Sequence, residues 1–139
     1  MRIIIEDVPE DLGRELVELA ASRGLRIAAP RPEWTPARAE TLLRDLPDAA
    51  LEIIQRTVEG GGWGDASLFR GNDDASLRGR TGPISKAIKR GVKTGRLPEG
   101  LLAPAIAQYD PNNPSYQRTT GFTMPEEVLP AFRAAFERL

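Results

Sequence analysis

Residues 81–94, Thr-Gly-Pro-Ile-Ser-Lys-Ala-Ile-Lys-Arg-Gly-Val-Lys-Thr, sort their chemistry cleanly in only one regular conformation. Wound as an α-helix at about 100° per residue, they place Lys86, Lys89, Arg90 and Lys93 within an arc of about 100°, because the spacing is i, i+3, i+4, i+7. Ile84, Ile88 and Val92 fall on the opposite side, flanked by the small Ala87 and Gly91. Such a rod needs a core beneath it and leaves a row of cations above. Thr81 is the expected N-cap, Pro83 occupies the first turn, where a missing N–H costs nothing, and Gly95 is the expected stop. The three lysines of the chain all lie on this one face; every other basic residue is arginine.

A cationic helix face has two readings. It is a solvated surface, which is common, or it lies against a polyanion, most simply the backbone and major groove of DNA. Charge along the rest of the chain favours the second. The formal net charge is −1, but residues 1–69 carry −5, residues 70–96 carry +6 and residues 97–139 carry −2. A basic block inside an acidic protein is a local electrostatic footprint, and the negative surroundings weaken loose attraction to nucleic acid.

Composition removes several chemistries. The chain has 139 residues, with no cysteine and no histidine. Disulfides, thiolate nucleophiles, the commonest zinc ligands and any Ser-His or Cys-His pair are therefore excluded. Asp, Glu, Arg, Tyr109 and Tyr116 show no spacing that marks an active site, so no catalysis, cofactor or metal is expected. The acidic cluster Glu6, Asp7, Glu10 and Asp11 lacks the loop spacing of a calcium site and reads as carboxylates at a helix N-terminus. Gly60-Gly61-Gly62 follows a helix and lacks the Gly-x-x-x-x-Gly-Lys pattern of a phosphate loop, so it reads as a helix stop and turn. No apolar run approaches the length of a membrane span, and no signal-like segment opens the sequence. A cytoplasmic location is the expectation.

In chain order, Ile3-Ile4-Ile5 predicts a short strand, residues 9–23 a helix with Leu12, Leu16, Leu19 and Ala20 as its stripe and Val17 at the edge, and residues 25–28 a second strand. This β-α-β piece, residues 1–28, is small for independent stability. Its Ile-rich edge is a natural seam for a homodimer. Residues 29–35 form a Pro-rich linker, and residues 36–139 the main domain.

There, Trp34-Thr35-Pro36 opens a helix running to about Leu46, and Asp48 caps a second with Ala50, Ile53, Ile54, Thr57 and Val58 inward. Residues 65–70 predict a short helix burying Leu68 and Phe69. After the basic helix, residues 101–109 and 115–123 predict a β-hairpin turned by Asp110-Pro111-Asn112-Asn113-Pro114. The final apolar segment predicts a helix with Val128, Leu129, Phe132, Phe136 and Leu139 on one side; Pro130 forces either a kink or a start near Leu129.

Three helices, the third cationic, followed by a hairpin, resemble a winged helix-turn-helix domain. The resemblance covers about residues 48–124 and rests on element order, charge and hydrophobic pattern. It departs from the family in the long 71–80 connection, where such domains turn tightly. The chain as a whole resembles small actinobacterial proteins, a likeness that implies no function. The fold class implied is α+β: a winged helix with a C-terminal helix and a small N-terminal β-α-β extension. The function implied is binding of double-stranded DNA by a transcriptional regulator or nucleoid-type factor. The residues implied are Arg78 and Arg80 before the helix, Ser85, Lys86, Lys89, Arg90 and Lys93 on it, and Asn112, Asn113, Gln117 and Arg118 on the wing, with Gln108 beside them. The competing expectation is a protein-interaction module whose basic face docks on an acidic partner.

Overall fold

A computed structural model describes residue 3 and residues 5–26, 32–69, 77, 79–112 and 118–139. The chain divides into two compact units, Met1–Pro30 and Arg31–Leu139, so the boundary falls inside the expected linker.

The first unit contains one helix, α1 (Glu10–Ser22), with Glu10 and Asp11 in its first turn. The carboxylates complement the positive end of the helix. Gly24, at φ +67°, ends it, and the Leu25 N–H returns to the Ala20 carbonyl at 2.9 Å, a left-handed stop that glycine adopts without steric cost. The expected flanking strands are corrected. Ile3, residues 5–9, Leu25 and Arg26 pair in no ladder, and all sheet pairing among the described residues lies in the second unit. β-Propensity is only a bias that a partner strand must complete. Asp7, at φ +55°, also turns the backbone out of the extended region before α1. Ile4, Ile27 and Ala28 lie outside the described residues.

The second unit begins with α2 (Pro36–Arg44). Thr35 caps it, its Oγ1 accepting from the Arg38 N–H at 3.2 Å. Trp34, before the cap, is buried; its Nε1–H donates to the Leu102 carbonyl at 2.7 Å, and its ring meets Phe132 edge-on at 5.0 Å. The helix stops at Arg44, two residues short of the expected Leu46, because Pro47 disfavours helical φ/ψ in the residue before it. In α3 (Asp48–Glu59) Asp48 is the first helical residue and Pro47 the cap; all five expected inward residues are buried. The helix ends in the glycine turn, where Gly61 and Gly62 take φ +71° and +112°.

The chain then forms an element the pattern did not announce. Trp63–Asp65 is a strand, β1. The expected helix over residues 65–70 reduces to one 3-10 turn, Ala66–Leu68, with Asp65 Oδ1 accepting from the Ser67 N–H at 2.9 Å. The cause is that Asp65 is committed to strand pairing, which leaves only three residues to turn. Phe69 is buried as expected, whereas Leu68 is 51% exposed, so its assignment to the core is corrected.

After α4 (Gly82–Lys93) come β2 (Ile106–Tyr109), β3 (Thr119–Thr123) and α5 (Leu129–Arg138). The antiparallel sheet has the order β1-β3-β2, with Gly64 and Ala107 both opposite Phe122. Phe122 is fully buried and meets Phe69 edge-on at 5.3 Å. On the other face Trp63 lies over Gly121, where an added Cβ would come within 2.5 Å of the indole. Glycine here lets the aromatic ring cover the central strand, and Trp63 remains 39% exposed, a rim residue. Pro130 sits in the first turn of α5, so the helix starts at Leu129 and needs no kink. Phe132 and Ala135 are fully buried and Phe136 packs partly against the core; Leu139, expected on the same side, is 54% exposed at the helix end.

Candidate nucleic-acid interface

The basic face is built by how α4 is seated. Ile84, Ala87 and Gly91 are buried, and Ile88 and Val92 are half-buried. Gly91 is required by close approach: an added Cβ would sit 2.6 Å from Leu97 Cδ1. The C-terminus closes through Gly95 at φ +76°, with the N–H groups of Arg96 and Leu97 both donating to the Gly91 carbonyl at 2.8 and 3.0 Å. Leu97 is buried behind this turn. At the other end Thr81 is a correction. It is helical in backbone angles and makes no side-chain cap; its carbonyl instead accepts from the Ile84 and Ser85 N–H groups at 3.0 and 3.2 Å.

This seating leaves Ser85, Lys86, Lys89, Arg90 and Lys93 exposed. Lys86, Lys89 and Lys93 form no ion pair among the described residues. Arg90 differs. Its Nε lies 3.2 Å from Asp45 Oδ2, and its Nη2 donates to the Asp45 carbonyl at 3.4 Å, at the C-terminal end of α2. One of the four cations is thus engaged within the protein. Lys93 and Arg90 also stand in the last turn of α4, where cations complement the helix dipole.

The other expected contacts separate. Arg80 is half-buried, with Nη1 3.5 Å from the Phe69 carbonyl, so it leans on the chain that follows the 3-10 turn. Arg96, not named beforehand, is exposed beyond the helix end, its Nε donating to Thr94 Oγ1 at 3.0 Å. In the hairpin, Asn112 is exposed and its N–H donates to Asp110 Oδ1 at 2.9 Å, an Asx turn. Arg118 is exposed at the return of the hairpin, its carbonyl accepting from the Asp110 N–H at 3.4 Å. Gln108 is committed to the sheet: its Nε2 donates to Thr123 Oγ1 at 2.9 Å. Arg78, Asn113 and Gln117 lie outside the described residues. Sequence reasoning missed Asp45, whose partner is 45 positions away with no local signal. It also missed β1, signalled only by an aromatic residue after the glycine turn.

Other chemistry is sparse. Among the described residues no three acidic side chains gather as a metal site, and no helix is long and apolar enough to cross a membrane. A shallow cleft of about 360 Å³ over α3 is lined by Asp48, Leu51, Glu52, Gln55, Arg56 and Glu59. Arg56 there lies 3.9 Å from Glu52 and 3.7 Å from Glu59, a solvated helix-face arrangement. Comparison with known proteins finds no matching family model, no matching curated protein and no matching solved structure.

Proposed function

We propose that this chain is a DNA-binding protein of winged helix-turn-helix type, a transcriptional regulator or nucleoid-type factor without catalytic activity. In this reading α4 enters the major groove and the hairpin of β2 and β3 forms the wing. The observation that carries it is the row Lys86, Lys89 and Lys93: exposed, paired with no carboxylate among the described residues, and mounted on a helix whose other side is fixed in the core. Phosphates neutralised by such a row release counterions, so affinity depends steeply on salt. Ser85, Lys86 and Lys89 are the side chains for base edges, lysine favouring the O6 and N7 of guanine. The order α3, β1, short turn, α4, hairpin supports the same reading. Titration of random and genomic duplexes across salt tests it. Binding at low salt that weakens along a straight log–log line is expected; failure to bind duplex at low salt sinks the proposal.

The first unit supplies a second contact in this reading, between two copies. No residue of α1 is buried, and Leu12, Val17 and Leu19 are 45, 50 and 55% exposed. A lone helix of this length is marginal in water, and a second copy of the stripe gives it an apolar partner. Light scattering of the wild type at high protein concentration is expected to give a dimer mass. Leu12→Glu with Leu19→Glu is expected to give a monomer. A monomeric wild type removes this part of the proposal.

A further inference from the structure

We infer that Arg90 is a positioning residue, which Asp45 uses to set the roll of α4, and that among the four cations of this helix the polyanion contacts are made by Lys86, Lys89 and Lys93. The inference rests on the reading of α4 as the polyanion-binding helix and divides the roles on it. Angular position is the first argument. At about 100° per residue, the three lysines lie within about 60° of one another, directly opposite the buried Ile84 and Gly91. Arg90 falls about 40° further round, toward the side of the buried Ala87. It stands on the shoulder of the helix.

The second argument is what meets it there. Asp45 is the residue that ends α2, and it offers Arg90 both a carboxylate and a main-chain carbonyl. The forked guanidinium takes both, whereas an ammonium is a point charge with no such fork. The third is the core side of α4. Ile84, Ile88 and Val92 hold the middle of that side against the core, but the flank next to Arg90 is seated through Ala87, which presents no branched side chain to resist rotation toward it. A roll of about 20° moves a group about 6 Å from the axis by about 2 Å, enough to break a hydrogen bond to phosphate. The pair to Asp45 adds a stop on that flank.

The test is a salt titration of duplex binding by single variants, repeated on heparin as a polyanion without base pairs. Lys86→Gln, Lys89→Gln and Lys93→Gln are each expected to reduce the slope of log affinity against log salt by about 0.9. Arg90→Gln, Arg90→Lys and Asp45→Asn are expected to lower affinity severalfold with the slope unchanged, and Asp45→Asn with Arg90→Gln together is expected to be no worse than either alone. A slope that falls by about 0.9 in Arg90→Gln, full affinity in Arg90→Lys, or tighter binding in Asp45→Asn would overturn the assignment. Heparin binding without duplex binding removes the DNA reading and leaves the division of roles to be judged on heparin; binding to neither overturns both.

Discussion

Replacing Lys86, Lys89 and Lys93 together by glutamine is expected to lower affinity for duplex DNA about a thousandfold at low salt and to leave the fold intact. In the proposed reading each lysine contributes a charge-assisted hydrogen bond to the duplex, worth about 1.5 kcal/mol, and about 1.4 kcal/mol is a factor of ten in affinity. The salt slope should fall by about 2.7, three contacts at about 0.9 each. Stability should move by less than about 0.5 kcal/mol, because all three side chains are exposed and none is held by a carboxylate among the described residues. The measurement is a fluorescence-anisotropy titration beside a thermal melt. Unchanged affinity with an unchanged melt would mean that the row does not touch DNA, and an acidic protein partner would become the leading account. The triple lysine-to-arginine variant is the control: it keeps the charge and should keep the slope.

Phe132→Ala is expected to cost about 3–5 kcal/mol, a large share of the roughly 5–15 kcal/mol that holds a domain together. Phe132 is fully buried in α5 and stacks edge-on with Trp34, just before α2. Truncation opens a cavity between two helices whose other contacts are already close-packed. Urea denaturation followed by tryptophan emission reads the loss. A cost below about 1 kcal/mol would show that the surroundings collapse into the space, contrary to the packing described.

What was legible in the sequence is what local chemistry decides. The five inward positions of α3 follow from helical spacing, and α2 starts where Thr35 and Pro36 place it. Gly24, Gly61, Gly62 and Gly95 take the positive φ values that their positions at helix ends suggested. The two faces of α4 were visible for the same reason. What was not legible depends on residues far apart. β1 has three residues, too few for a period, and exists because β3 lies beside it. The Ile-rich start has strand chemistry but no described partner. Asp45 reads locally as a helix end, and only folding brings it to Arg90. The cationic face of α4 was therefore visible as a charge pattern, while the contact that ties its shoulder to α2 was not.

The bond from the Trp34 indole to the Leu102 carbonyl bears on how α4 and the hairpin are held relative to one another. Leu97, Pro104 and Ala105 are buried along the same connecting stretch between α4 and β2. The stretch is thus pinned at several points, which limits how far helix and hairpin can part, as in a caliper with a stiff joint. If the proposed DNA reading holds, a duplex meeting both must adjust its own shape, and groove width would be sensed at positions where no side chain reaches a base.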